Sequence, residues 1–292
     1  MMEVSKYLSR IGFTGETEVS LKCLSELQTC HQLAVPFENL DVFCERKKLL
    51  ELEVLYERIV NEKRGGWCCE LNGLFSWLLG QLGFSVRKVS ASYFNPVKQQ
   101  FNKMYDHMGL IVSLAGQEYL TDVGWGNINA HYLPIRLTPN SVHVQPGGSY
   151  QLKKESDYWY LMHKLRDTVG HHREEKNAVV DKDTWEVIHR FTTEEKELEE
   201  FQERCDEYQT DPENQLATVP MSIIKQDEGR TVVVLFGQRL TTVKLMEGTD
   251  VRTNQLDLKN EEINKKLKDI FGIVLEKELD IESIVNGLKD DD

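Results

Sequence analysis

A double glycine, Gly65-Gly66, directly precedes the most regular apolar pattern of this 292-residue chain. The apolar residues that follow recur at helical spacing on one face, and a further glycine, Gly83, supplies a stop. They are Leu71, Leu74, Phe75, Leu78, Leu79 and Leu82. The spacing predicts a buried helix whose first turn carries Cys68 and Cys69. Because unpaired N–H groups and the positive end of the helix dipole stabilise a thiolate there, the pattern predicts a reactive cysteine.

Helical phase separates the two cysteines. At about 100° per residue, Cys68 lies roughly 50° from the centre of the apolar face and Cys69 roughly 150° from it. Cys68 is therefore expected to face a cleft, and Cys69 is expected to point to the opposite side. A nucleophile needs a shaped and partly desolvated site, so we favour Cys68. The alternative interpretation is a buried cysteine with a structural role.

A histidine and an aspartate are candidates for the activation of this thiol. An adjacent imidazole commonly activates a cysteine, and a third group orients the imidazole. Of the eight histidines, His107 differs because it begins the predicted strand 108–114. If the chain turns back over 115–116, Asp122 becomes a diagonal neighbour of His107 on the same face, within ~5.5–8 Å. A three-residue turn would place the two side chains on opposite faces. The ordered set with Cys68 is a candidate catalytic triad.

Composition and charge argue against several classes of function. A formal net charge of −13 disfavours nucleic acid or an anionic membrane as the main partner. No stretch approaches about 18 uninterrupted apolar residues, and residues 1–6 lack the apolar core of a signal peptide. We therefore expect a cytoplasmic protein, in which the six cysteines are mostly reduced. No Cys-x2-Cys pair occurs, so we expect no zinc site and no other metal.

Periodicity divides the chain into three units. Residues 1–85 follow mostly helical spacing, and residues 86–192 are rich in strand-like patterns. Within the second unit, the polar and His-rich segment 162–184 is predicted to be an irregular insertion. The third unit, 193–292, ends in an acidic tail. The mixture predicts an α+β fold.

The third unit is predicted to begin with a linking helix. Thr193 would cap a helix over 193–208, with acidic residues in its first turn. Strands are predicted over 231–236, 238–244 and 250–256, followed by a helix over 261–271.

The motif around Cys68 resembles the hallmark of the arylamine N-acetyltransferases, Arg-Gly-Gly-x-Cys. Here it runs from Arg64 to Cys68 and continues as Glu-Leu-Asn over 70–72. Residues 35–40, Val-Pro-Phe-Glu-Asn-Leu, are similar to an upstream block of that family. The segment around His107 and the block Asp-Val-Gly-Trp-Gly over 122–126 also resemble family blocks. A later segment, from Tyr208 to Thr-Asp-Pro over 210–212, resembles the part that contacts the coenzyme, and the likeness covers residues 3–275.

This resemblance implies a fold and an activity. The fold would have an N-terminal helical bundle, a central β-barrel-like domain and a C-terminal α/β lid around a cysteine-protease-like core. The activity would be ping-pong transfer of acetyl from acetyl-CoA, through a Cys68 thioester, to an arylamine, a hydrazine or a related small amine. Acetyl-CoA would be a co-substrate, with no cofactor bound permanently and no nucleic-acid or membrane partner. We expect a monomer.

The resemblance also implies roles for individual residues. Cys68, His107 and Asp122 would form the triad, and Arg64 would pair with Glu38 to brace the loop. The implied substrate-binding residues are Phe37, Tyr93, Asp106, His107 and Trp125. The implied coenzyme contacts are Lys103, Met104 and Tyr208.

Three positions depart from the family pattern, and two other functions stay open. Cys69 replaces a usually apolar residue, Trp125 is bulkier than usual, and Glu213 places an acid in the coenzyme segment. One alternative is a thiol hydrolase or transglutaminase-like acyltransferase with the same triad, which would need an open groove for a peptide. The other is a non-enzymatic protein that only binds a coenzyme or partner.

Overall fold

The computed structural model describes residues 1–44, 46–96, 98–164, 167–170, 184–246 and 249–284, and it confirms a mixed architecture of helices and sheets. The helices are α1 (Val4–Arg10), α2 (Leu21–Ala34), α3 (Leu40–Phe43), α4 (Leu52–Tyr56), α5 (Cys68–Gln81), α6 (Gln202–Thr210), α7 (Gln215–Thr218) and α8 (Asn260–Phe271). The strands are β1 (Phe37–Glu38), β2 (Ser85–Asn95), β3 (Gln100–Phe101), β4 (His107–Leu114), β5 (Gln117–Thr121), β6 (Ile135–Arg136), β7 (Val142–Gln145), β8 (Gly148–Glu155), β9 (Tyr158–Lys164), β10 (Asp167–Gly170), β11 (Trp185–Phe191), β12 (Met221–Gln226), β13 (Thr231–Phe236), β14 (Arg239–Met246) and β15 (Thr249–Gln255).

Helix α5 begins at Cys68, as predicted, and packs against strands β2 and β4 on one side and helices α1 and α4 on another. Because neighbours enclose it on more than one side, its buried residues are not confined to one stripe. The prediction that Cys69 points away from the core is therefore wrong. Cys69 is 5% exposed in the same apolar cluster as Leu71 and Phe75, whereas Cys68 is only partly buried.

The hairpin β4–β5 has the predicted two-residue turn. Leu114 pairs with Gln117, and the register continues to Leu110 opposite Thr121. Strand β5 ends at Thr121, where the Asp122 carboxylate accepts the N–H of Gly124 and turns the chain.

Two sheets organise the described part of the chain. The larger has nine strands in the order β6-β5-β4-β2-β11-β9-β8-β7, with β3 beside β2. The smaller has the order β1-β12-β13-β14-β15-β10, and helix α8 packs against it. Strands β13 to β15 and helix α8 were predicted from the sequence. Strands β1 and β10 join this sheet from earlier parts of the chain, so the sheet contains strands from all three predicted units. The boundaries of these units stay a prediction.

The strands that were not predicted are mostly short, but β11 and β12 have six residues or more and were missed for different reasons. In β11, the pairing with β9 shifts register between Val187 and His189, so this strand lacks a clean alternation of polar and apolar residues. In β12, Lys225 is 6% exposed, where an apolar residue would be expected.

The polar segment 162–184 is not irregular throughout. Residues 162–164 complete β9, residues 167–170 form β10, and residues 171–183 lie outside the described residues, as does the acidic end 285–292. The linking helix predicted over 193–208 is wrong for residues 193–197. The Lys196 N–H donates to the Lys88 carbonyl, which keeps that part of the chain extended. A 3-10 helical turn then runs over Leu198–Phe201 and leads into α6 at Gln202.

The longest helices of the described residues, α2 and α5, have 14 residues each. No helix in this part of the chain is both long enough and apolar enough to cross a membrane.

Replacing Lys225 by methionine is expected to stabilise the protein by about 2 kcal/mol at pH 7. Burial lowers the pKa of Lys225 to about 7. Its ammonium donates to the Ala130 carbonyl at 2.5 Å, and the Tyr150 hydroxyl also donates to that oxygen, so the substitution leaves it with a partner. Denaturant unfolding of Lys225→Met would measure the change.

The pH dependence gives this prediction its control. The native pKa lies below the unfolded value of about 10.4, so unfolding takes up a proton between pH 7 and 10.4, and wild-type stability rises with pH in that window. The advantage of Lys225→Met should therefore shrink from pH 7 to pH 10. Lys244→Met, at an exposed lysine two strands away, should show no such trend. Equal behaviour of the two variants would contradict a buried charge at Lys225.

Candidate active site

The loop before α5 needs glycine because two backbone segments meet there. A Cβ atom at position 65 would collide with the Pro36 carbonyl oxygen. Gly66 pairs in parallel with Phe37, and the Glu38 N–H donates to the Gly66 carbonyl at 2.9 Å. The double glycine therefore lets strand β1 lie directly against the chain that leads into Cys68.

A buried network of charges lies beneath this loop. Its three carboxylates and three cations are each at most 5% exposed, and they are Glu38, Asp41, Glu70, Lys48, Arg58 and Arg64. Arg64 Nη2 lies 2.8 Å from both Glu38 and Asp41, so Arg64 pairs with its predicted partner Glu38 and also with a second carboxylate. Because each charge has opposite charges as neighbours, the network stays compensated out of water.

Glu70 links this network to the first turn of α5. Its carboxylate accepts the Trp67 N–H at 3.0 Å and Lys48 Nζ at 2.8 Å, and it also pairs with Arg58. Burial alone would raise the pKa of Glu70, but the two cations lower it well below its usual value. Glu70 therefore stays ionised and holds the residue that precedes Cys68.

The structure brings the three predicted catalytic residues together at the start of α5. His107 Nε2 lies 2.7 Å from Asp122 Oδ2, and both side chains are almost fully buried. A Cβ atom at Gly124 would lie 2.8 Å from Cys68 Cα, so the turn after Asp122 packs directly on the first helical residue. Since Asp122 engages Nε2, Nδ1 is the ring nitrogen left to face the Cys68 sulfur, whose pKa the neighbouring imidazole lowers.

Asn72 positions Asp122 from one helical turn after Cys68. Asn72 Nδ2 donates to Asp122 Oδ1 at 2.8 Å, and the Gly124 N–H donates to the same oxygen at 2.7 Å. Asn72 Oδ1 accepts the Val123 N–H, which settles the orientation of the amide. Sequence reasoning missed this role, although the spacing of four residues from Cys68 places both on one helix face.

The protonation states follow from these contacts. Burial disfavours an imidazolium, but the charge of Asp122 and its hydrogen bond raise the pKa of His107 to about 10. Burial would likewise raise the pKa of Asp122, and the charge of His107 lowers it instead. A hydrogen bond from Cys69, and then the hydrogen bond and charge of His107, lower the pKa of Cys68 to about 6 despite burial. At neutral pH the site therefore holds a thiolate beside an imidazolium.

A cavity of about 780 Å³ opens beside Cys68. Eight of the predicted site residues line it: Phe37, Cys68, Tyr93, Lys103, Asp106, His107, Trp125 and Tyr208. Met104 does not line this cavity, and its sulfur instead accepts a hydrogen bond from Ser92 Oγ at 3.3 Å. The rings of Tyr93 and Trp125 lie 5.7 Å apart and form an aromatic wall.

Charges of both signs line the cavity. Arg204, which sequence reasoning missed, lies over the Tyr208 ring at 4.3 Å and 3.7 Å from Asp106. Its position four residues before Tyr208 on one helix could have revealed it. Asp106 accepts the Tyr93 N–H at 3.0 Å, and burial raises its pKa. Glu213 is also a lining residue.

One group of side chains has donor atoms close enough to hold a metal. Among the described residues, the ligand atoms of His107, Asp122 and His189 lie within 4.8 Å of one another. His107 and Asp122 already hydrogen bond to each other, so a metal would have to break that contact. Burial, and next the charge of His107, lower the pKa of His189 to about 3, so His189 is neutral. The group fits a hydrogen-bonded acid–base pair better than a metal centre.

Comparisons with known proteins agree on one family. A family model described as N-acetyltransferase matches residues 20–280. The arylamine N-acetyltransferase, pineal gland isozyme NAT-3, of Gallus gallus is 32% identical over 283 residues, which is 94% of this chain and 96% of that protein.

Solved structures of the same enzyme class share the fold. The arylamine N-acetyltransferase of M. tuberculosis superposes with a TM-score of 0.79 at 25% identity, over 93% of this chain and 94% of that one. That of Mycobacterium marinum, solved in complex with CoA, gives 0.78 at 24% identity, over 97% and 94%. The predicted cysteine-protease-like α+β architecture is confirmed by these likenesses in fold.

Proposed function

Because the chain belongs to the arylamine N-acetyltransferase family, we propose that Cys68 carries acetyl from acetyl-CoA to a small aromatic amine. The observation that carries the proposal is that the Cys68 sulfur lies next to the His107 ring, while His107 Nε2 lies 2.7 Å from Asp122 Oδ2. A thiolate attacks thioesters readily and also leaves them readily, so two thioester steps suit this arrangement.

In the first step, the Cys68 thiolate attacks the carbonyl carbon of acetyl-CoA. A new carbon–sulfur bond forms, and the bond to the coenzyme sulfur breaks with its electron pair on that sulfur. His107 gives its proton to the departing thiolate, so CoA leaves as a thiol and the imidazole becomes neutral. Because the charge of Cys68 contributes to the raised pKa of His107, loss of that charge makes the proton easier to release.

In the second step, the amine attacks the acetyl carbon. The carbon–nitrogen bond forms, the amine proton passes to His107, and Cys68 leaves as a thiolate. The resting ion pair is thereby regenerated. Asp122 acts throughout by holding the ring and by stabilising the imidazolium.

The cavity lining supports a division of the site. Phe37, Tyr93 and Trp125 offer aromatic surface beside Cys68, which suits the ring of an arylamine. Lys103 is 77% exposed at its side chain and Tyr208 lies on α6, so we assign these two to the coenzyme. The CoA complex of the Mycobacterium marinum relative supports the same ligand class for this fold.

We further propose a cytoplasmic location and a monomeric state. All six cysteines are free thiols in the structure, which is typical of a reducing compartment. Size-exclusion chromatography with light scattering would test the monomer.

Intact-mass measurement after mixing with acetyl-CoA, without an amine, tests the proposal. Wild type should gain one acetyl group, mapped to Cys68, and later addition of an arylamine should remove it and yield the N-acetylated amine. Cys68→Ala should gain none, while Cys205→Ala, at a buried thiol of α6, should behave as wild type. An adduct that persists in Cys68→Ala, or none in wild type, would refute the mechanism. Discharge by water as fast as by amine would favour a thiol hydrolase instead.

A further inference from the structure

The side chain of Cys69 has an unusual neighbour. Its sulfur lies 3.7 Å from the sulfur of Cys68, within hydrogen-bond distance for two sulfur atoms. Cys69 is 5% exposed, inside the apolar cluster around α5. Among the described residues, the Cys68 sulfur is the hydrogen-bond partner found for the Cys69 thiol. One of the two thiol protons can therefore lie between the sulfurs, donated by either residue.

The surroundings decide which sulfur keeps the proton. The Asp106 carbonyl oxygen lies 3.9 Å from the Cys68 sulfur, a long contact that could accept from a thiol. Cys68 also lies beside the His107 imidazolium and the Met108 N–H and lines the cavity, and these outweigh the carbonyl and favour the thiolate. Cys69 instead has apolar neighbours and lies near the carboxylate of Glu70. A second negative charge there would be both desolvated and repelled. Cys69 is therefore the S–H donor and Cys68 the acceptor.

We propose that Cys69 is a positioning residue whose thiol donates a hydrogen bond to the Cys68 sulfur and holds it as the resting thiolate. The contact from Cys69 is the largest influence that lowers the pKa of Cys68, ahead of His107. The same contact raises the pKa of Cys69 well above its usual value, so Cys69 stays protonated when Cys68 is charged.

For the reaction, this inference rests on the function proposed above. The hydrogen bond increases the fraction of Cys68 that is ready to attack acetyl-CoA. In the second step, the Cys68 sulfur receives the electron pair of the breaking carbon–sulfur bond. The hydrogen bond stabilises this thiolate, so it helps Cys68 to leave the thioester. Because Cys69 keeps its proton, it is a poor nucleophile, and the acetyl group should stay on Cys68 rather than move to its neighbour.

Alkylation of Cys68 by iodoacetamide across pH 4.5–9 tests the hydrogen bond without any acetyl-CoA. The adduct is assigned to Cys68 or Cys69 by peptide fragmentation. In Cys69→Ala the midpoint of the rate profile should rise by roughly one pH unit, with a roughly tenfold slower rate below pH 6 and a similar plateau above pH 8. In Cys69→Ser, whose hydroxyl can also donate, the midpoint should stay near that of wild type.

Cys205→Ala is the matched control, because it removes a thiol of equal size from the same apolar cluster without touching Cys68. Its profile should coincide with that of wild type. The inference is overturned if Cys69→Ala keeps the wild-type midpoint, or if Cys69→Ser or Cys205→Ala shifts as far as Cys69→Ala. Since alkylation needs no acetyl donor, these outcomes are independent of whether the wild type forms an acetyl-enzyme, and the two proposals can fail separately.

Discussion

Replacing Asp122 by asparagine is expected to lower kcat/KM for acetyl transfer by about 10³- to 10⁴-fold. The reason is the orientation that the side-chain amide of the new asparagine must take. Oδ1 of residue 122 accepts from both Asn72 Nδ2 and the Gly124 N–H, so an asparagine would keep its oxygen there. Its NH₂ group would then face His107 Nε2 and donate to it. A ring that accepts at Nε2 cannot be an imidazolium, so Cys68 would lose its counter-charge.

Two measurements separate this effect from damage to the fold. Rapid-quench acetylation of Cys68 at pH 7 should slow in Asp122→Asn, and alkylation of Cys68 by iodoacetamide should slow with it. At pH 9.5, above the ordinary thiol pKa of about 8.5, the alkylation rate should return towards that of wild type, because the thiolate forms without help. A rate that stays low at pH 9.5 would point to a disrupted site, and an unchanged rate at pH 7 would rule out this role of Asp122.

Glu70→Gln is expected to destabilise the fold by about 3–5 kcal/mol at pH 7. Lys48 is fully buried and forms its ion pair with Glu70, while Arg58 divides its charge between Glu70 and Asp41. A neutral glutamine keeps the shape but leaves excess positive charge inside the protein. The Trp67 N–H also loses a charged acceptor, so the start of α5 should loosen as well. Urea unfolding at pH 7 would measure the loss.

Acidification gives an independent check on the ion pairs of Glu70. The pKa of Glu70 is lowered in the folded protein, so its contribution is present above the unfolded value of about 4.3 and is lost as pH falls below it. The gap between wild type and Glu70→Gln should therefore narrow below pH 4. Asp269→Asn, which removes the exposed pair with Lys265 on α8, should change stability little at either pH. A gap that is constant with pH would contradict the ionic explanation.

The parts of the site that the sequence predicts well depend on local rules. Helix α5 follows from apolar periodicity after two glycines, and the pairing of β4 with β5 follows from a two-residue turn. Both rules involve residues close in sequence, so they predict the approach of Asp122 to His107. The family motifs then indicated which donor the cysteine would use.

The parts that were missed depend on contacts between distant segments. Cys69 looked exposed because helical phase assumes one buried face, whereas α5 has neighbours on several sides. In the charge network, the pair of Arg64 with Glu38 was expected from the family resemblance, whereas its other members, between residues 41 and 70, show no common pattern in the sequence. Tertiary packing buries Lys225, although lysine side chains are usually exposed to water. In each case tertiary packing overrode the local tendency.

Strand β1 links the cysteine loop to the smaller sheet through backbone hydrogen bonds. Phe37 and Glu38 pair with β12 on one side, and on the other the Glu38 N–H donates to the Gly66 carbonyl, two residues before the nucleophile. Opening of the β1–β12 edge would therefore release the loop as part of one cooperative unit. In hydrogen exchange, the amide of Glu38 should be protected to the same degree as those of β12. How long Cys68 stays correctly placed for attack would then depend on how often the smaller sheet, built mainly from C-terminal residues, opens.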